Sequence, residues 1–144
     1  MRRLLMVLVA LVVLTGCREV RVNQVRSGTT TSAGTSQVLI VREKRALDAL
    51  GITASVNFTR EFVVVLLMGP HRETGYVQLI ESIRANVDRV RIVAFERAPL
   101  DGGEPSVPYR TYTLWVVPNI AYRPGSNVNV VTPSGEPIAT TVLK

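Results

Sequence analysis

Phe62-Val63-Val64-Val65-Leu66-Leu67-Met68-Gly69-Pro70 decides the fold. The run is rich in Val and Phe, residues that favour strands. The segment from Phe58 to Met68 therefore reads as a central strand, with Gly69-Pro70 closing it as a turn.

The flanking sequence supplies neighbours for that strand. Val38 to Val41 is a short apolar run. Between Arg42 and Gly51, the residues Ala46, Leu47, Ala49 and Leu50 fall at near-helical spacing, and Gly51 can cap the end. Further strands are expected at Tyr76 to Ile83, Arg89 to Arg97 and Tyr109 to Val117. In the second of these Val90, Ile92 and Ala94 alternate with Arg89 and Arg91, the pattern of a sheet with one wet face. Pro99 to Pro108, which holds Asp101-Gly102-Gly103, reads as irregular. Val128 to Thr132 and Ile138 to Val142 form a terminal hairpin about Pro133-Ser134-Gly135. The connections are too short for crossover helices. The expectation is a mainly β domain: a small antiparallel β sandwich or open barrel with one short helix, following a signal peptide and a flexible linker.

Composition narrows the chemistry. The 144 residues include one Cys and one His, which exclude an internal disulfide and a structural zinc site. An apolar fraction of 47% against 19% charged is enough to order one small core. The 17 Lys and Arg outnumber the 11 Asp and Glu, but they are spread along the chain with neither a basic stripe nor an aromatic platform. No nucleic-acid partner is expected.

The N-terminus has its own logic. Arg2 and Arg3 precede an unbroken apolar run from Leu4 to Leu14, followed by Thr15, Gly16 and Cys17. The run is half the roughly 20 residues that span a bilayer, so it reads as an export signal. An ordinary signal peptide cleaved near Gly16 would leave Cys17 as a spare thiol. Leu14-Thr15-Gly16-Cys17 instead resembles the lipobox of bacterial lipoproteins, in which the cysteine takes a diacylglyceryl group and becomes the mature N-terminus. That resemblance implies lipidation at Cys17, and with it a cell-membrane or outer-membrane anchor facing the extracytoplasmic side. Residues 1–16 are then the signal peptide, 17–37 a lipidated start and polar tether rich in Ser, Thr and Gly, and 38–144 the domain.

No cofactor, metal or catalytic residue is expected. His71 is the only base available to a Ser-His-Asp arrangement, and it sits in the polar turn Gly69-Pro70-His71-Arg72-Glu73-Thr74-Gly75, where a solvated side chain is the rule; no Gly-x-Ser-x-Gly elbow occurs. Glu73, Asp101 and Glu104 could pair as acids, but turn formation accounts for them equally. The Gly69 to Tyr76 loop is the candidate binding feature, with Thr74, Gly75 and Tyr76 at its end; the alternative is a plain hairpin connection with Tyr76 in the core. Trp115 reads as core.

Two family resemblances bear on that loop. Phe58, the Phe62 to Gly69 strand, Thr74-Gly75-Tyr76, Ile80, Val90 to Val93, Pro99 and Pro108-Tyr109 resemble the C-terminal domain family of PrcB, a protease-complex subunit, over about residues 56–118. The resemblance implies a non-catalytic accessory that associates with an exported protease. Met68, His71-Arg72-Glu73 and Asp101 to Glu104 depart from the pattern. Thr74-Gly75-Tyr76 is also similar to the end of the binding loop of chagasin-type protease inhibitors, whose other loops correspond loosely to Asp101-Gly102-Gly103 and Arg123-Pro124. A structural envelope lipoprotein without a specific soluble partner is the third reading.

Overall fold

The computed structural model describes residues 20–86 and 88–144. Eight strands lie among them: β1 (Gln24–Thr30), β2 (Gln37–Val41), β3 (Glu61–Glu73), β4 (Val77–Ala85), β5 (Arg89–Arg97), β6 (Pro105–Pro118), β7 (Asn127–Val131) and β8 (Pro137–Val142), with one helix, α1 (Lys44–Ala49). They form two four-stranded sheets, in the orders β1-β6-β3-β2 and β4-β5-β7-β8. The sheets do not join edge to edge among the described residues, so the expected mainly β architecture is a sandwich rather than a barrel.

The apolar run that opened the reading is the centre of the structure. Phe62 to Met68 are all buried, and their side chains split by parity. Phe62, Val64, Leu66 and Met68 enter the core between the sheets with Ile92, Ala94, Trp115, Val117, Val128 and Val130. Val63, Val65 and Leu67 enter a second core on the outer face, with Leu47 of α1, Ile52, Leu114 and Val116. Two-sided burial is why the run carries no polar residue. Each such side chain stabilises the fold by about 1.5–3 kcal/mol. Helix α1 ends as its spacing predicts: Leu47 is buried and the Gly51 N–H donates to the Asp48 carbonyl at 2.9 Å.

Four features differ from the sequence reading. Residues 24–30, placed in the tether, form β1 and pair antiparallel with β6 from Gln24 opposite Val116 to Thr30 opposite Arg110. Polar, small side chains suit this edge strand, because five of its seven residues face solvent and only Thr30 is buried. Strand β3 does not turn at Gly69-Pro70. It shifts register between Met68 and His71 and continues to Glu73, pairing His71 with Tyr109 and Glu73 with Pro105. Pro tolerates such a break because the bulge needs no ladder hydrogen bond from its nitrogen. Strand β6 accordingly starts at Pro105, inside the segment read as irregular. Finally, β5 and β7 pair in parallel. The crossover that parallel strands require is β6 itself, running through the opposite sheet, and so no helix was needed.

The topology gives the domain two distinct ends. β3 leaves Glu61 beside Asn23 and Pro118 and reaches Glu73 beside Pro105, a climb of 13 residues and about 40 Å. At the lower end the N-terminal segment is stitched to the sheet: Glu61 accepts from the Asn23 side-chain amide at 2.6 Å and from the Asn57 N–H at 2.9 Å. The hydrogen bonds from Asn57 and Asn23 hold the Glu61 carboxyl below its ordinary pKa. With β1 starting at Gln24, the stretch from Cys17 spans at most about 25 Å, so the lower end stays close to whatever carries the cysteine.

Candidate functional site

Thr74, Gly75 and Tyr76 join β3 to β4 and so pass from one sheet to the other at the upper end. Thr74 is held by the segment that runs into β6, and Tyr76 by β6 itself. The Thr74 N–H donates to the Glu104 carbonyl at 2.9 Å, and Thr74 Oγ1 accepts from the Glu104 N–H at 3.1 Å. A side chain on Gly103 would put its Cβ 2.1 Å from the Thr74 carbonyl oxygen, so the two backbones meet only because Gly103 has none. Gly75 has φ +98°, and a Cβ there would lie 2.8 Å from Pro99 Cβ. The Tyr76 N–H donates to the Tyr109 hydroxyl at 3.4 Å, and that hydroxyl donates to the Glu73 carbonyl at 2.7 Å. The Tyr76 ring stacks on His71 with centroids 3.9 Å apart and planes inclined by 11°.

The loop is thus rigid, and its surface is partly apolar. Thr74 and Gly75 face solvent and Tyr76 is half-buried. Leu100, next to the proline that Gly75 meets, is 94% exposed, and Val107 is 69% exposed. Replacing Gly75 by Val forces a disfavoured φ and a collision with Pro99, which is expected to lower stability by about 2 kcal/mol. A thermal melt indistinguishable from wild type would contradict this packing. Because that collision disturbs the fold itself, Gly75→Val is an unsuitable probe of binding.

Beneath the loop lies a polar cluster that the sequence reading did not assemble. His71 is not a solvated turn residue; its side chain is 13% exposed and Nε2 lies 2.8 and 2.9 Å from the two Glu96 carboxylate oxygens. A carboxylate only accepts, so Nε2 is the donor. Thr111 Oγ1 donates to the same carboxylate. Gln78 Nε2 adds contacts at 3.3 Å to Thr111 Oγ1 and 3.4 Å to the Leu66 and Thr111 carbonyls. The four side chains come from β3, β5, β6 and β4, and they tie both sheets together under Tyr76. In a nucleophilic triad the hydroxyl gives its proton to an imidazole, which the carboxylate orients from its other side without taking the proton. Here hydroxyl and imidazole both converge on the carboxylate, and Thr111 is 2% exposed. Among the described residues no cluster of His, Cys, Asp and Glu is placed to hold a metal ion.

Glu96 had a legible signal. It continues the inward row Val90, Ile92, Ala94, and an acid on a core-facing row requires a partner. The same holds for Arg110, which sits on the outer face of β6 at 1% exposure. Its Nε donates to the Ser32 carbonyl at 3.0 Å, one terminal nitrogen to the Thr35 carbonyl at 2.9 Å and the other to Ser32 Oγ at 2.8 Å. Burial pushes its pKa down. No described carboxylate pairs with it; three oxygens of the β1–β2 connection satisfy it instead.

Cys17, the expected lipidation residue, lies outside the described residues. The family description of a prokaryotic membrane lipoprotein lipid attachment site matches residues 1–17 and ends on that cysteine. The chain is therefore a lipid-anchored membrane lipoprotein. Neither the PrcB C-terminal family nor the chagasin-type inhibitors are matched. No curated protein and no solved structure matches the chain.

Proposed function

We propose that the domain is a non-catalytic protein-binding module, held on the extracytoplasmic side of a cell or outer membrane, and an accessory or stabilising subunit of an exported protease. The observation that carries this reading is the placement of the Thr74-Gly75-Tyr76 loop, held by hydrogen bonds at Thr74 and Tyr76, at the end of the sandwich about 40 Å from the end that leads to the anchor. Loops on rigid sheets are where binding residues collect. The resemblance over residues 56–118 supplies the class of partner. Convergence of His71 and Thr111 on Glu96 supports a structural role for the one histidine, and so supports binding rather than turnover. The reading involves no cofactor and no nucleic acid.

The inhibitor alternative meets a geometric difficulty. Thr74-Gly75-Tyr76 and Asp101-Gly102-Gly103 do share the upper end, since Thr74 bonds to Glu104. Arg123 lies instead at the lower end, with Val20 and Val22. A three-loop wedge needs all three on one side.

The upper surface is tested by Leu100→Glu. That side chain is almost fully exposed, so stability should stay within about 0.5 kcal/mol of wild type. Recovery of the protease partner in a high-salt pull-down is expected to fall about tenfold, the effect of losing a central apolar contact. Undiminished recovery removes this surface from the interface, and no recoverable partner from wild type favours the structural-lipoprotein reading.

A further inference from the structure

Among the described residues, the lower end of the sandwich is open. Between the sheets there is a cleft of about 940 Å³, within the roughly 300–1,000 Å³ range of ligand pockets. Its walls are apolar on both sides: Phe62, Val64 and Trp115 from one sheet, and Ile83, Val90 and Val128 from the other. The first residues described, Val20, Arg21 and Val22, line its mouth together with Ile120, which is 86% exposed.

We infer that this cleft takes an acyl chain, and that the chain is one of the two carried by the diacylglyceryl group on Cys17 of the same molecule. Three Cα–Cα steps lead from Cys17 to Val20, so the attachment point lies within about 11 Å of the mouth. Such a short link makes entry intramolecular, at an effective concentration on the order of mM. The lining is mostly apolar, with Arg21, Asn86, Asp88, Arg123 and Ser126 as its polar members, so a chain exchanges between cleft and bilayer and its position follows their differential affinity. The other chain stays in the membrane. Filling the cleft would also keep the mouth, with exposed Val22 and Ile120, against the bilayer surface.

Trp115 is the only tryptophan of the chain and lines the cleft, so its fluorescence reports occupancy directly. The lipidated protein is compared with the same protein after a lipase has removed its ester-linked chains. In vesicles of brominated phosphatidylcholine, Trp115 of the lipidated protein should keep its fluorescence, because an unbrominated chain of its own occupies the site. The deacylated protein in solution should lose the larger part of that fluorescence to dibromostearate, saturating at one equivalent. Acrylamide should also reach its Trp115 more readily than before deacylation. Quenching of the lipidated protein by the brominated bilayer would make the occupant a membrane lipid and overturn the assignment. Absence of quenching by dibromostearate, or unchanged acrylamide access, would overturn it too. In the deacylated Val90→Arg protein, checked for an unchanged circular dichroism spectrum, quenching by dibromostearate should vanish; if it persists, the acid binds elsewhere. Should Val90→Arg not fold, Ala85→Arg places the charge at the cleft's edge for the same reading.

Discussion

Arg110→Ala is expected to lower the unfolding free energy by about 3 kcal/mol, and the thermal midpoint by roughly 10 °C. The guanidinium is buried under the connection between β1 and β2 and donates to three oxygens of Ser32 and Thr35. Truncation removes these bonds at once, strips acceptors of their donor and leaves a void against Gly34. Two edge strands depend on that connection, because β1 and β2 lie at opposite margins of their sheet. Arg110→Lys should recover only part of the loss, since an ammonium cannot spread donors over oxygens arranged for a planar fork. Denaturant titration of both variants measures this. An Arg110→Ala protein within about 0.5 kcal/mol of wild type would show that the connection is held by something else.

Cys17→Ala is expected to abolish incorporation of labelled palmitate, leaving only background. The attachment-site match ends on this residue, and the chain has no other cysteine to take the thioether-linked lipid. Each methylene buried in the bilayer contributes about 0.8 kcal/mol, so the modification decides whether the domain is held. The label is the proper readout. An unprocessed variant would keep the apolar run from Leu4 to Leu14 and could sediment with membranes for that reason alone. Undiminished label in Cys17→Ala would contradict lipidation at this position.

The central strand, the helix and the terminal hairpin were legible in the sequence because each is governed by a local rule: the strand preference of Val and Phe for Phe62 to Met68, helical spacing ending at Gly51, and a turn at Pro133 to Gly135. What escaped the reading is non-local. β1 is polar and small, as edge strands are, and only the β6 ladder makes it a strand. The bulge at Gly69-Pro70 looked like a turn because both residues are turn formers. It continues as a strand since Tyr109 and Pro105 lie opposite. That continuation shortens the connection to Thr74-Gly75-Tyr76, which links the two sheets rather than capping a hairpin. His71 illustrates the limit further. Its polar neighbours in sequence say surface, whereas Glu96 and Thr111, 25 and 40 residues away, draw it inward.

The most direct measurement places a photoreactive amino acid at position 100 and, separately, at position 120, two sites of similar exposure at opposite ends of the domain. Irradiation in membranes is predicted to yield an adduct between position 100 and an exported protease, while position 120 captures lipid and no protease. Protease adducts equally strong from both positions, or none from position 100, would contradict a domain that points its rigid loop away from the membrane towards such a partner.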